Sequence, residues 1–441
     1  MVQKHLARTR IGRGIAALAA VGLAVGLAAC GSPAGPASPG GSAAPGGSES
    51  PAAITGDITL QTWSLTPTFQ EYLDGVIAAF EKANPGTKVT LQDQPGDGYA
   101  DKVLTQASTD TLPDVINLPP DFALPLAQVG VLDNLAVSDP TLDQVYVAGA
   151  LEAFRFPGVD GTFAYPWYLN TDINYWNSKL MTECGLDPAK VPTTDAELFE
   201  QAKIYNQTCK DTYLMSRAPG IEDFARAGVQ VINPEGTEFT FATDQSVAVI
   251  DRYVTAYQEG LLPAAVLNDD YLGNSRMFTE GKVGWSTGGA PAYTSFVTDN
   301  PSLDGNIVIS PALDVPSLYV QGIGVSARSK NIATARAFAA FITNAENQNA
   351  FAKIVSIFPS TLASAEDPFF TENDGTTASA AKVLAFESLT KAKSLIPVQF
   401  NSAMGTILRQ QISLAMRGDI PAKDALDAAQ KQINQMLATA R

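Results

Sequence analysis

Among 441 residues there is one histidine, His5. The commonest general base and the commonest transition-metal ligand are therefore almost absent, and with them most hydrolytic triads and zinc sites. Cysteine is nearly as scarce: Cys30, Cys184 and Cys209 are all there are. There is no C-x-x-C, no H-E-x-x-H and no phosphate loop G-x-x-x-x-G-K-[ST]. Positive charge is also short, 29 Lys and Arg against 45 Asp and Glu, a net of −16. Nucleic acid, which requires basic patches, is excluded as a partner.

What is present divides at about residue 56. Residues 1–29 carry Lys4, Arg8, Arg10 and Arg13, then an uncharged apolar run from Ile15 to Ala29. That run is short for a membrane span and right for a signal-peptide core. Loss of the segment would remove His5 and leave 25 basic against 45 acidic side chains, a net of −20. The run closes on Leu27-Ala28-Ala29-Cys30, which resembles a lipobox with Cys30 as the lipid-bearing residue; an ordinary secretory signal is the alternative. Residues 30–56 are mostly Gly, Pro, Ser and Ala with one charge, Glu49. Such a stretch buries too little to order itself and reads as a tether of about 25–30 Å.

From Asp57 the pattern is that of a folded body. Ile58, Leu60 and Thr62 alternate as in a strand. Phe69, Tyr72, Leu73, Val76, Ile77 and Phe80 form one helical stripe. Thr66 is the expected cap with Pro67 at the first helical position, and Asn84-Pro85-Gly86 the stop. Val89 and Leu91 open a second strand, parallel to the first. Further helices are expected at Ala100–Ser108, over Leu142–Phe154, from a Thr194/Glu197 capping box through Tyr205, and over Val247–Tyr257. Strands are expected at Asp114–Leu118, Phe239–Ala242, Lys282–Ser286, Ile307–Ser310 and Val320–Ala327, with a mostly helical region from Ile332. This alternation indicates an α/β protein with largely parallel sheets, and the length indicates two domains.

Two catalytic patterns occur and neither carries chemistry. Gly284-Trp285-Ser286-Thr287-Gly288 fits a nucleophile elbow but has no histidine to activate the serine. Gly322-Ile323-Gly324-Val325-Ser326-Ala327 fits a relaxed dinucleotide fingerprint, but its middle reads as strand. Asp269-Asp270 reads as a solvated turn rather than a calcium site. Cys184 and Cys209, outside the cytoplasm, are expected to pair; two buried thiols are the alternative. What remains for binding is polar and aromatic residues at strand ends, where open α/β sheets hold ligands. These are Trp63, Ser64, Asp121, Trp167, Tyr168 and Asn170; singly, each such aromatic is more often core than ligand platform, and it is their grouping at strand ends that shifts the balance.

Several stretches resemble the extracellular sugar-binding proteins of bacterial ABC importers, of the maltodextrin- and multiple-sugar-binding type. They are Trp63 onward with FEKANPGTKV (Phe80–Val89), LPDVINL (Leu112–Leu118), YPWYLNTDINYWNSKL (Tyr165–Leu180), CGLDPAKVPTTDAELFEQAK (Cys184–Lys203), MFTEGKVGWSTGG (Met277–Gly289) and VQGIGVSARSKNIATARAFAAFIT (Val320–Thr343). The resemblance implies a two-lobed periplasmic-binding-protein-like fold of type II, with hinge strands and a ligand cleft between lobes. It places lobe 1 at 57–167 plus about 324–372 and lobe 2 at 168–323 plus about 373–441. Crossings are expected near Tyr165–Tyr168, near Gln321–Gly324 with its glycines supplying freedom, and within Pro359–Ala378. Carried over by position, Trp63, Ser64, Asp121, Tyr168, Asn170, Gly289, Tyr293, Gln321 and Phe400 are the ligand-binding candidates. The sequence departs from the family where a glycine is usually followed closely by a tryptophan platform; here Gly288–Ala292 leads only to Tyr293. The implied partners are a small sugar, ABC permease transmembrane subunits, and the membrane through the lipid on Cys30. A monomer without catalytic residues, cofactor or metal is expected. The alternatives are a carboxylate-based glycosidase, a binding protein for a non-sugar solute, and an adhesive surface lipoprotein.

Overall fold

The computed structural model describes residues 54–268 and 271–439. The expected signal segment, the lipid site Cys30, nearly all of the tether, and Asp269-Asp270 lie outside the described residues.

The first unit is a strand, helix and strand: β1 (Gly56–Trp63), α1 (Gln70–Ala83) and β2 (Thr87–Gln94). β1 and β2 are parallel, in register from Gly56↔Thr87 to Trp63↔Gln94. α1 buries Leu73, Val76 and Phe80, the centre of the stripe read from the sequence. Its start differs from expectation. Residues 66–69 form a turn, and Thr66 does not cap α1. Its N–H and Oγ1 both donate to Asp93 Oδ2, at 2.9 Å each. Burial would raise the Asp93 carboxyl, but hydrogen bonds from Thr62, Thr66 and Leu65 outweigh it and hold the group below its ordinary value. This carboxylate fastens the turn that follows β1.

The chain continues through α2 (Tyr99–Ser108), β3 (Val115–Leu118), α3 (Pro120–Gln128), β4 (Tyr165–Asn170), β5 (Ile173–Asn177), α4 (Asp195–Thr208), α5 (Ile221–Arg226) and α6 (Asp244–Gln258). Then come β6 (Trp285–Gly288), α7 (Ala292–Asp299), β7 (Ile307–Ser310), β8 (Tyr319–Val325), α8 (Ile332–Ile342), α9 (Ala345–Ala352), β9 (Phe358–Pro359), α10 (Thr377–Ser388), α11 (Ser402–Arg417) and α12 (Ala422–Thr439). Among the described residues no helix is long and apolar enough to cross a membrane.

These strands form two sheets, ordered β2-β1-β3-β8-β4-β9 and β6-β5-β7. The expectation of largely parallel sheets is corrected. Only β1–β2 and β1–β3 are parallel; β3–β8, β8–β4, β4–β9 and both pairs of the smaller sheet are antiparallel. The cause is connectivity: β4 leaves the larger sheet for the smaller and β8 returns from it, so the two run in opposite directions. Their pairing extends from Tyr165↔Ile323 to Asn170↔Tyr319. Passage between sheets therefore falls at Thr171–Asp172, a few residues after Tyr165–Tyr168, and at 311–318, a few residues before Gln321–Gly324. Gly322 and Gly324 lie inside the sheet and serve packing. A Cβ on Gly322 would meet the Phe154 ring at 2.4 Å, and one on Gly324 would meet Leu118 at 3.1 Å.

Two other expectations fail for local reasons. The helix over Leu142–Phe154 is two short ones, Leu142–Val145 and Ala148–Glu152. Between them Tyr146 bridges to Thr361 and Val147 N–H donates to Ser360 O. The strand at Phe239–Ala242 is absent because α12 takes its donors: Phe239 N–H goes to Asn434 Oδ1 (2.7 Å) and Ala242 N–H to Gln430 Oε1 (2.6 Å). The smaller sheet packs Trp176 and Trp285, stacked at 6.0 Å, against α4, α6, α11 and α12. Cys184 and Cys209 are disulfide-bonded with Cα atoms 5.5 Å apart. The Thr194/Glu197 capping box is formed.

Candidate functional site

The register places the last residues of β1, β3 and β4 and the first of β8 along one edge of the larger sheet. At that edge Trp63 stacks on Tyr99 at 5.7 Å and lies 6.4 Å from Phe122. Its indole Nε1 is buried and finds no acceptor among the described residues. Ser64 follows in the left-handed region at φ 54°, its N–H donating to Gln94 O at 2.8 Å. Such a conformation is uncommon outside glycine and turns the chain sharply at the strand end. A Cβ at Gly96 would stand 2.9 Å from Ser64 Oγ, so glycine keeps this corner open.

β3 ends at Leu118; Pro119 is the N-cap of α3 and Pro120 begins it, which puts Asp121 in the first helical turn. The Asp121 side chain is open to solvent, yet crowding by surrounding protein pushes its carboxyl up, against the hydrogen bonds of its own and Phe122's N–H. Across the edge, Gln321 Oε1 accepts from Asn117 Nδ2 at 3.2 Å and Gln321 is the register partner of Tyr168. The Tyr168 ring lies 5.2 Å from Trp167, and burial pushes its hydroxyl up to about 12.

Asn170, the last residue of β4, meets the smaller sheet. A Cβ on Gly289, just past β6, would stand 3.1 Å from Asn170 Oδ1. Six expected residues, Trp63, Ser64, Asp121, Tyr168, Asn170 and Gln321, thus share one sheet edge, with Gly289 facing it from the other sheet. Tyr293 and Phe400 are engaged elsewhere. The Tyr293 hydroxyl donates to Asp304 Oδ1 at 3.0 Å, and Phe400 packs edge-on against Phe239 at 5.8 Å in the core of the smaller sheet's helices.

Sequence reading passed over a charged group on α5. Asp223 is buried; it accepts from Arg217 Nη2, from Gly220 N–H at 2.7 Å and from Arg226 Nη1 at 2.7 Å. Burial opposes its ionisation, but Arg217 and Arg226 outweigh that and hold its carboxyl below the ordinary value. Burial and the neighbouring Asp223 push Glu222 up. Asp172, between β4 and β5, is pushed up to about 6 by burial, with Arg226 opposing. The available signal was four charged residues within Arg217–Arg226 of an otherwise weakly charged chain.

Among the described residues no group of three or more His, Cys, Asp and Glu is placed to hold a metal ion. Two surface cavities lie away from the sheet edge. One of about 740 Å³ is lined by Lys190, Phe199, Glu200 and Arg252, and one of about 470 Å³ by Arg276, Thr287, Gly288 and Phe296. None of the nine expected residues lines either.

The profile of the bacterial extracellular solute-binding proteins matches residues 75–378, and the chain belongs to that family. Its relatives are binding proteins. It is 24% identical over 307 residues to the galactooligosaccharide-binding protein of Bacillus subtilis, a match covering 66% of this chain and 70% of that one. A crystal structure from Synechococcus sp. MITs9220, provisionally assigned as an oligosaccharide periplasmic-binding protein, superposes with a TM-score of 0.77 at 26% identity, covering 87% of this chain and 99% of the other. The cyclic α-maltosyl-1,6-maltose binding protein of Arthrobacter globiformis shares the fold, with a TM-score of 0.72 at 20% identity over 87% of this chain and the whole of that one. The fold is that of the periplasmic binding proteins.

Proposed function

We propose that this protein is the solute receptor of an ABC importer, that it captures an oligosaccharide by closing two lobes, and that it hands the solute to the permease without chemistry. One lobe is built on the larger sheet, 57–170 with 319 to about 372; the other on the smaller, 173–310 with about 373–441. The observation that carries the reading is the sheet edge itself. Trp63 with an unpartnered N–H, the exposed Asp121 carboxylate, Tyr168 and Gln321 lie towards one edge of the larger sheet, where Asn170 approaches Gly289 of the smaller one. Aromatic faces stack on pyranose rings while polar groups bond the hydroxyls, and the Bacillus subtilis relative takes a galactooligosaccharide.

The test is a thermal-shift titration with galactooligosaccharides. Solute at about 100 times its dissociation constant stabilises by about 2.7 kcal/mol. Trp63→Ala is expected to weaken binding by about 2 kcal/mol, on the order of 30-fold, while the ligand-free protein still melts cooperatively. Unaltered binding by that variant removes Trp63 from the site.

The same reading puts the receptor on the outer face of the cell membrane, held by lipid on Cys30. Cys30→Ser is expected to move the protein from the membrane fraction to the medium. Equal membrane retention of the variant contradicts the anchor.

A further inference from the structure

Residues Thr62 to Thr66, at the end of β1, form an arch over one carboxylate. Asp93, on β2, is the register partner of Thr62, and Gln94 is that of Trp63. Asp93 Oδ1 accepts from Thr62 Oγ1 at 2.7 Å, and Oδ2 accepts from Thr66 N–H and Thr66 Oγ1 at 2.9 Å each. The Leu65 N–H is shared between the two oxygens, at 3.3 and 3.2 Å. These donors bracket Trp63 and Ser64, which the carboxylate does not bond.

Between the brackets Ser64 stands in the left-handed region, at φ 54°. A residue with a Cβ keeps that conformation where its surroundings impose it. Here two neighbours on β2 do so. Gln94 O takes the Ser64 N–H at 2.8 Å, and Asp93 gathers the residues on either side. Hydrogen bonds to a carboxylate are roughly twice as strong as neutral ones, so the brackets are the firm part of the arch.

The arch carries three hydroxyls, on Thr62, Ser64 and Thr66. Asp93 consumes the outer two. Ser64 is exposed, and among the described residues its Oγ makes no hydrogen bond. Where a Cβ on residue 96 would crowd that oxygen, at 2.9 Å, the chain has glycine.

We propose that Asp93 is a positioning residue of the solute site: by drawing Thr62, Leu65 and Thr66 onto one carboxylate it holds Trp63 and Ser64 at the sheet edge, with the Ser64 hydroxyl left free to bond a hydroxyl of the solute. This rests on the reading of that edge as the solute site. Asp93, its oxygens taken up by the arch, acts through these two neighbours.

The full-length protein carrying 5-fluorotryptophan tests it, first without solute. Its four tryptophans give separate fluorine resonances, and Trp63→Phe assigns one of them. In Asp93→Asn the Trp63 resonance is expected to shift or broaden while those of Trp176 and Trp285, in the smaller sheet, stay in place. Amide exchange at 65–66 is expected to rise about tenfold or more, since the bonds to the carboxylate are lost. Thr66→Ser, which keeps both donors, is expected to match wild type. Thr66→Val, which loses the hydroxyl bond alone, is expected to move the Trp63 resonance in the same direction by less; it decides the matter if Asp93→Asn folds poorly. An unaltered Trp63 resonance in these variants overturns the inference. So does exchange that rises evenly over β1, β2 and α1, the mark of a residue that adds stability without orienting the corner. In the galactooligosaccharide titration, Asp93→Asn and Ser64→Ala are each expected to bind about tenfold more weakly, the latter with its Trp63 resonance unmoved. Wild-type affinity in Asp93→Asn also overturns the inference. No binding by wild-type protein counts against the sugar-receptor reading alone, and the measurements without solute then decide whether Asp93 orients the corner.

Discussion

Asp223→Asn is expected to lower the unfolding free energy by about 3–5 kcal/mol, the usual range for removing one partner of a buried charge pair. Asp223 is only 7% exposed and lies between two guanidiniums that are themselves mostly covered, Arg217 at 22% and Arg226 at 17%. Asparagine keeps the size but not the charge. It leaves two arginines in a poorly solvated site with Glu222, 4.0 Å from Arg217, as the nearest remaining acid. It also weakens the bond that fixes Gly220 ahead of α5. The acid limb follows from sign. Because the folded carboxyl is held below its unfolded value of about 3.9, its contribution is complete above that value and is lost as pH falls through the lower folded value. Wild type and variant should therefore differ fully at neutral pH and converge in strong acid. Urea unfolding at pH 7 and below checks this, with Asp427→Asn in the exposed Lys423–Asp427 pair as a control expected to change stability by less than about 0.5 kcal/mol. A cost for Asp223→Asn as small as the control's contradicts the account of the cluster.

Cys184→Ala/Cys209→Ala is the second large effect, about 3–4 kcal/mol, from loss of a cross-link between positions 25 apart in sequence. The bond ties the end of the short helix Ser178–Glu183 to the end of α4. Cys184 is fully buried, so alanine, which adds no polar atom, isolates the cross-link from a polar burial cost. The variant should unfold at lower urea with little change in its far-ultraviolet spectrum, and wild type under reducing agent should move towards it. Two alkylatable thiols in freshly purified native protein, or equal midpoints with and without reductant, contradict it.

Local features were legible in the sequence and long-range ones were not. The alternation in Ile58–Thr62 and the stripe centred on Leu73, Val76 and Phe80 depend on neighbours a turn away, so the period alone predicts β1 and α1. Strand partners do not leave such a trace. That β8 enters between β3 and β4 is decided by residues about 200 positions apart, and this made the sheets mixed rather than largely parallel. Thr66 offered a cap, but a carboxylate 27 residues on claimed it. Gly322 and Gly324 suggested freedom at a hinge; the Phe154 ring and Leu118 explain them as close packing.

The site divides in the same way. Trp63, Asp121 and Asn170 were nominated because each ends or follows a strand, and the structure places them, with Tyr168 inside β4, towards one edge of the larger sheet. Tyr293 and Phe400 rested on resemblance alone, and their observed contacts are with Asp304 and Phe239. Arg217, Glu222, Asp223 and Arg226 were missed because charges at that spacing also describe a solvated helix face; only burial distinguishes the two.

The central claim is that solute binding closes the two lobes about the crossings at Thr171–Asp172, at 311–318 and at about 372–373. A ligand shifts such an equilibrium only by binding the closed form more tightly, as one touching Trp63 and the Gly289 side together would do. Small-angle X-ray scattering, with and without saturating galactooligosaccharide, measures this most directly. The account predicts a smaller radius of gyration with solute bound, reached in Trp63→Ala only at about 30-fold higher concentration; a radius unaltered in wild-type protein at proven saturation contradicts it.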